Sequence, residues 1–299
     1  MKIPVHARIS TAVLTICLLL IYVLGERLSA QIDQDKDPGS GSEKAKSDPG
    51  QINSPPSMPS STPGGPNAKS AFTLAAPFKI ALDIGHTPKR GGVVSARGVS
   101  EYEFNRRLVN ELWKRLQISR YAQSFVVNAE GNEISLAKRV EQAVQNGAQL
   151  FLAIHHDSVK DNYLKKWDVD GKTRKYCDDF HGYSIFISAK NSRPMESLAF
   201  ANALAKSLLK GGFSPTLHHA DQEHRVVVDP EKGIYLFDDL IVLKAAKMPA
   251  VLLECGVIVN REEEKNLNDQ QYRNRLLEAI SSGIESLASP VPTEPAKKQ

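Results

Sequence analysis

A chain of 299 residues that is 41% hydrophobic and 24% charged, with only 3 cysteines, has the make-up of a globular protein and excludes a fibrous or disulfide-built one. Lys and Arg number 38 against 34 Asp and Glu, a formal net charge of +4. So small a surplus, spread along the chain, argues against nucleic acid as a partner, whereas a mildly basic protein suits an anionic polymer such as cell wall.

Lys2, His6 and Arg8 precede an uncharged, mostly apolar run from Ile9 to Gly25, and Leu28-Ser29-Ala30 offers a small-residue cleavage site, so residues 1–30 read as an export signal. The run is at the lower limit for spanning a bilayer, and Glu26 and Arg27 are unusual before a cleavage site. A cleaved signal peptide and a retained signal anchor both fit. Residues 31–74 are Asp, Lys, Ser, Pro and Gly with almost no large apolar side chain, a disordered linker. Residues 75–288 are expected to fold as one domain, and 289–299 to form a loose tail.

Within that domain the sequence predicts strands at Phe78–Leu82, Ser124–Asn128, Gln149–Ile154, Tyr183–Ser188 and Ala250–Leu253. Helical periods fill the gaps at Glu101–Ile118, Glu133–Asn146, Pro194–Lys210, Asp238–Ala246 and Asn268–Leu287. The alternation predicts a single α/β domain with a mainly parallel, roughly five- to six-stranded sheet and helices on both faces. Ligands of such sheets bind beyond the carboxyl ends of the strands. Of the cysteines, Cys17 lies in the apolar run, while Cys177 and Cys255 remain. An exported protein permits a disulfide between them without requiring one, and Cys255, just after an apolar strand, reads as a buried, unpaired thiol.

Three predicted strands end in a polar group that can bind metal or move protons: His86 after the first, His155 after the third, Glu254 after the last. A lone histidine is more often structural, but three groups at equivalent strand ends can converge at one edge of the sheet. The first helix offers a fourth. Phe104, Leu108, Leu112 and Leu116 define its buried stripe, and at 100° per residue Glu101 falls within that stripe while Glu103 points roughly 160° away, to solvent. A carboxylate that merely favours the helix N-terminus is the alternative for Glu101. Two imidazoles and a carboxylate with one position open form the ligand set of catalytic zinc in several hydrolases. Glu254, buried at a strand end, suits a proton-transferring base. In an extended segment His156 points away from His155 and is expected behind the site or in a structural role.

Four segments carry a resemblance: Ile80-Ala81-Leu82-Asp83-Ile84-Gly85-His86, Arg97-Gly98-Val99-Ser100-Glu101, Leu150-Phe151-Leu152-Ala153-Ile154-His155-His156-Asp157, and Lys247-Met248-Pro249-Ala250-Val251-Leu252-Leu253-Glu254-Cys255-Gly256. Together they resemble the zinc-dependent N-acetylmuramoyl-L-alanine amidases of the amidase-3 type. Leu136-Ala137-Lys138-Arg139, Asn146-Gly147-Ala148 and Val259-Asn260-Arg261-Glu262-Glu263 look similar to the same family. The resemblance implies one Zn2+ per chain on His86, Glu101 and His155, with Glu254 as the catalytic carboxylate. Asp83, His156, Arg139 and His219 are expected behind the ligands or at the substrate rim. It also implies cleavage of the amide between N-acetylmuramic acid and L-alanine in peptidoglycan, by an exported monomer that is periplasmic or tethered at the inner membrane facing the periplasm.

Some stretches depart from the family. Thr87-Pro88-Lys89 stands where glycines are usual, and Ile187-Ser188 leads almost directly into the next helix, without the long inhibitory helical insertion of division-associated members. Lys160 to His181, with Tyr163, Trp167 and Tyr176, is an extra segment whose composition suits covering a glycan-peptide cleft or a surface excursion. His218, His219, His224 and Glu223 form a second polar cluster, suited to a stem peptide, a stray metal, or neither. The ligand set alone leaves open a zinc carboxypeptidase or deacetylase acting on peptidoglycan, and a non-catalytic wall-binding or activator module.

Overall fold

A computed structural model describes residues 72–220 and 222–288. The export signal, most of the linker and the tail lie outside the described residues. Phe72 and Leu74, at the expected end of the linker, already pack against the core as large apolar side chains, and Leu74 N donates to Leu287 O at 2.7 Å.

Strand β1 (Ile80–Ile84) is buried along its whole length, the pattern of a strand covered on both faces. It lies between β2 (Phe125–Val127) and β3 (Leu150–Asp157), both parallel to it. Next along the chain come β4 (Lys165–Val169) and β5 (Lys172–Tyr176), a separate antiparallel ribbon, then β6 (Ser184–Ile187), β7 (Arg225–Asp229), β8 (Ile234–Phe237) and β9 (Ala250–Val257). The main sheet has seven strands in the order β2-β1-β3-β9-β6-β8-β7. It is mostly parallel; β6 runs antiparallel to β9, and β7 to β8.

The sheet is wider than five or six strands because Arg225-Val226-Val227 and Tyr235-Leu236-Phe237 pair as a hairpin, with an irregularity at Val228 and Asp229 opposite Ile234. Strands β3 and β9 also run on past their expected ends, because parallel pairing continues through His155 and Glu254. The two polar groups therefore sit within strands.

Helix α1 (Glu101–Gln117) buries Phe104, Leu108, Leu112 and Leu116, each at most 2% exposed. Each such side chain contributes about 1.5–3 kcal/mol of hydrophobic stabilisation. Together with α3 (Pro194–Lys210) and α6 (Gln270–Glu285) it covers one face of the sheet, against Leu82, Ile154, Ile185 and Leu253. Helices α2 (Leu136–Gln145) and α4 (Ile241–Ala245) cover the other, against Ala81, Phe151, Phe186 and Leu252. The final helix expected at Asn268–Leu287 is α6, and a further helix not read from the sequence, α5 (Arg261–Asn268), precedes it; the two are separate because Asp269 is extended and its side chain caps α6 at Tyr272 N, 2.8 Å away. Residues 188–193 join β6 to α3. Cys177 and Cys255 are both buried free thiols. Among the described residues no helix is long and apolar enough to cross a membrane.

Candidate metal centre and active site

The chain leaves β1 through Gly85 and turns at His86 in the left-handed region, φ 68°. A residue with a Cβ holds that conformation only when its surroundings enforce it. Arg139 on α2 does so: its Nη1 donates to Asp83 Oδ1 at 2.8 Å and to the Ile84 carbonyl at 2.5 Å, and its Nη2 donates to the His86 carbonyl at 2.6 Å. Asp83 and Arg139 are each 2% exposed. They hold backbone behind the site, and their side chains are not part of the cluster it carries.

Glu101 opens α1, and its carboxylate draws that cluster together. Oε2 lies 2.9 Å from His86 Nε2, and Oε1 lies 2.9 Å from His155 Nδ1. Oε2 also accepts from Val93 N at 3.2 Å, and Oε1 from His156 N at 3.3 Å and Asn105 Nδ2 at 3.2 Å. Burial opposes the charge on Glu101, but hydrogen bonds from His155 and His86 and their positive charge outweigh it and hold the carboxyl far below the usual range. Glu103, by contrast, pairs with Arg106 at the surface at 2.6 Å.

Two glycines make room for this packing. A Cβ on Gly85 would lie 2.5 Å from the His155 ring. A Cβ on Gly92, itself at φ 72°, would lie 2.3 Å from Glu101 Oε2 and 2.7 Å from His86 Nε2. The donor set fits a metal ion: one ligand atom each from His86, Glu101 and His155, all within 4.8 Å of one another. Tetrahedral zinc with bonds of about 2.0–2.1 Å needs ligand atoms spaced by about 3.3 Å, close to the contacts found.

His155 and Glu254 are register partners in the parallel β3–β9 pair. Neighbouring strands lie about 4.8 Å apart and side chains in one row share a face, so the half-buried Glu254 stands beside the cluster, with Ser184 on its other flank. His156 points to the opposite face, where its Nδ1 lies 2.7 Å from Asn105 Oδ1 and its ring 5.5 Å from Phe104. Burial pushes its pKa down to about 3, so it is neutral. Asn105 thus ties Glu101, the Gly85 carbonyl and His156 together. The sequence reading missed it, although it lies four residues after Glu101 on the same helical face.

His219 is placed elsewhere, in a second cluster with Asp157 and His218. Asp157 Oδ2 lies 2.5 Å from His219 Nε2 and 3.0 Å from His218 Nε2. Burial disfavours the Asp157 charge, yet the two imidazoles hold its pKa low, while burial keeps that of His219 below normal. His224 and Glu223 are separate from them, a surface pair 3.4 Å apart. Asp157 was visible only as the residue closing the His-His-Asp run.

The Lys160–His181 segment contains the β4–β5 ribbon, turned at Asp170-Gly171 with both residues at positive φ. Trp167 Nε1 donates to Ala96 O at 3.1 Å, which sets the ribbon against the turn leading into Glu101.

The Amidase_3 family model, described as N-acetylmuramoyl-L-alanine amidase, matches residues 80–286. The chain is 26% identical over 233 residues to the probable N-acetylmuramoyl-L-alanine amidase AmiB of Haemophilus influenzae, covering 71% of this chain and 52% of the relative. It is 24% identical over 235 residues to the N-acetylmuramoyl-L-alanine amidase AmiC of Escherichia coli, covering 70% of this chain and 52% of that one. The chain thus spans about half the length of these curated relatives. In fold it is similar to the crystal structure of an N-acetylmuramoyl-L-alanine amidase from Clostridium difficile, with a TM-score of 0.55 at 20% identity, covering 70% of this chain and 95% of that one.

Proposed function

We propose that this chain, which belongs to the Amidase_3 family of N-acetylmuramoyl-L-alanine amidases, hydrolyses the amide between N-acetylmuramic acid and the L-alanine of the stem peptide in peptidoglycan, using one zinc ion. The observation that carries this reading is the meeting of His86, Glu101 and His155 with Glu254 in register beside His155. His86, Glu101 and His155 would hold the ion. Zinc there supplies Lewis acidity toward the scissile carbonyl and lowers the pKa of water.

The remaining work falls to the protein. Glu254, half-buried next to the cluster, takes the proton of the attacking water and returns it to the leaving amine. Arg139, through the Asp83–His86 turn, and Asn105, through Glu101, keep the ligands oriented. In the same reading the chain is exported by residues 1–30, works as a monomer in the periplasm or tethered at the inner membrane, and reaches the wall through the residue 31–74 linker.

Digestion of purified peptidoglycan by the full chain, with chelator, with zinc restored and with Glu254→Gln, followed by mass analysis, tests the proposal. The expected products are intact stem peptides and lactyl-terminated glycan, lost with chelator and lost in Glu254→Gln although that variant retains zinc. Release of single amino acids or of acetate would replace the amidase by a carboxypeptidase or deacetylase. No release with zinc bound would favour a wall-binding or activator module.

A further inference from the structure

The β4–β5 ribbon departs from β3 just after His155 and leans on the turn that precedes Glu101. That turn is itself a small hairpin, with Val94 bridged to Ser100 and Ser95 N donating to Val99 O at 2.8 Å. One face of the ribbon, made by Trp167, Val169, Arg174 and Tyr176, is half-buried against the protein, while Lys166, Asp168, Thr173 and Lys175 are exposed on the other.

Three guanidinium groups gather around the two aromatic rings of the inner face. Arg97 lies 5.4 Å from the centre of Trp167; Arg261 lies 5.1 Å from Trp167 and 3.9 Å from Tyr176. Arg174 is the register partner of Trp167, and its guanidinium rests on Gly98, where a Cβ would come within 2.4 Å of it. Two of the three charges are neutralised: Arg97 by Glu264 at 2.6 Å, and Arg261 by Asp178, whose carboxylate accepts from its Nε at 2.9 Å. Arg174 has no carboxylate partner among the described residues. The ribbon adds further positive charge, since residues 160–176 hold six basic and three acidic side chains.

A planar, half-buried guanidinium without a counter-ion, beside two others already paired, is suited to a carboxylate that arrives with a ligand. Its position sets which carboxylate. Gly98 precedes Glu101 by three residues, which span at most about 10 Å, and a bound peptide covers such a distance in three residues or fewer. We infer that Arg174 forms a carboxylate-binding subsite for the stem peptide, engaging a free carboxylate two to three residues beyond the scissile amide. The inference rests on the amidase reading for the identity of the peptide, and on the ribbon geometry for the subsite.

The test uses the full zinc-loaded chain and two muramyl-peptides that differ only in whether the carboxylates beyond the first residue are free or amidated. The wild type is expected to show a KM about tenfold lower for the free form. Arg174→Gln should raise that KM to the value for the amidated peptide, with kcat within about twofold, and Arg174→Lys should keep part of the preference. Equal losses of kcat on both peptides in Arg174→Gln, or no preference in the wild type, would overturn the subsite. Calorimetric titration of the same two peptides into Glu254→Gln and Glu254→Gln/Arg174→Gln separates the two readings. A preference for the free form that Arg174 carries, without cleavage by the wild type, supports the subsite and removes the amidase. Cleavage without preference does the reverse.

Discussion

Arg139 and His86 are 53 residues apart, and Arg139 Nη2 donates to the His86 carbonyl at 2.6 Å. The same guanidinium grips Asp83, so one buried fork fixes the left-handed turn that aims the His86 ring. Lysine keeps the charge but is a point donor that cannot span the carboxylate and two carbonyls. Arg139→Lys is expected to fold, with stability lower by about 1–3 kcal/mol. Its zinc affinity should fall by roughly 10–100-fold. Urea denaturation and competition with a chromophoric chelator measure the two, and an unchanged zinc affinity would show that the fork serves the fold alone.

Gly92 and Gly147 both have positive φ, at 72° and 69°, but only Gly92 is crowded. Alanine at Gly147 meets nothing within 4 Å and suffers backbone strain alone, about 1 kcal/mol. Alanine at Gly92 adds a collision with the Glu101 carboxylate and the His86 ring. Gly92→Ala should therefore lose zinc binding and at least about 100-fold in wall hydrolysis, with Gly147→Ala active at the wild-type level. Metal content after dialysis and rates on labelled peptidoglycan decide it; equal behaviour of the two variants would remove the steric account.

How much of this was legible in the sequence depended on whether a residue's role is local. The stripe Phe104-Leu108-Leu112-Leu116 placed Glu101 inward because helix geometry is fixed by spacing alone, and alternation along β3 turned His156 away from His155 for the same reason. The ribbon was legible too: Asp170-Gly171 between alternating residues is a hairpin signal, overlooked in a segment rich in charge. The β7–β8 pair was hidden by the polar residues preceding it. Asn105, Gly92 and the Asp157 cluster were harder, because each owes its role to chain that arrives from far along the sequence. No local period announces that Arg225 will face His219.

The pH dependence of stability should carry a component from Glu263. Burial raises its pKa to about 7, although Val257 N at 2.8 Å and Gly182 N at 2.9 Å donate to its carboxylate and favour the charged form. Its ordinary value is 4.5, so the folded state binds the proton more tightly than the unfolded state. The contribution is fully present below about pH 4.5 and is lost as pH rises through about 7, on the order of 3 kcal/mol in all. His156, with its lowered pKa, works in the opposite sense as pH falls below about 6.5, so the quantity to follow is wild type minus Glu263→Gln. By urea unfolding, that difference should shift against the wild type between pH 5 and pH 8. A difference that stays constant would mean that Glu263 does not titrate in this window.

The two His-containing clusters make opposite predictions for metal. At the first, Asn105 and the Val93 and His156 amides also support the Glu101 carboxylate, so it stays in place when an ion displaces the protons of the His86 and His155 nitrogens that face it. At the second, partners behind the rings hold the protons on the nitrogens that face the carboxylate. Arg225 can only donate, and its Nη1 meets His219 Nδ1, which leaves the proton of His219 on Nε2, aimed at Asp157. His218 Nε2 lies 3.1 Å from the Ser158 carbonyl, an acceptor, so it too must carry a proton, with Thr216 Oγ1 donating to its Nδ1 at 2.9 Å. Both nitrogens that a cation would need are then N–H donors to one carboxylate, and a guanidinium stands behind them. The full chain should therefore bind one zinc ion. His86→Ala should abolish that binding, whereas His218→Gln should leave the stoichiometry at one and lower stability by about 1–3 kcal/mol through loss of a buried partner. Atomic emission on dialysed protein gives the ratio directly. Two ions per wild-type chain, falling to one in His218→Gln, would show that the Asp157 cluster is a metal site and that the proton assignment is wrong.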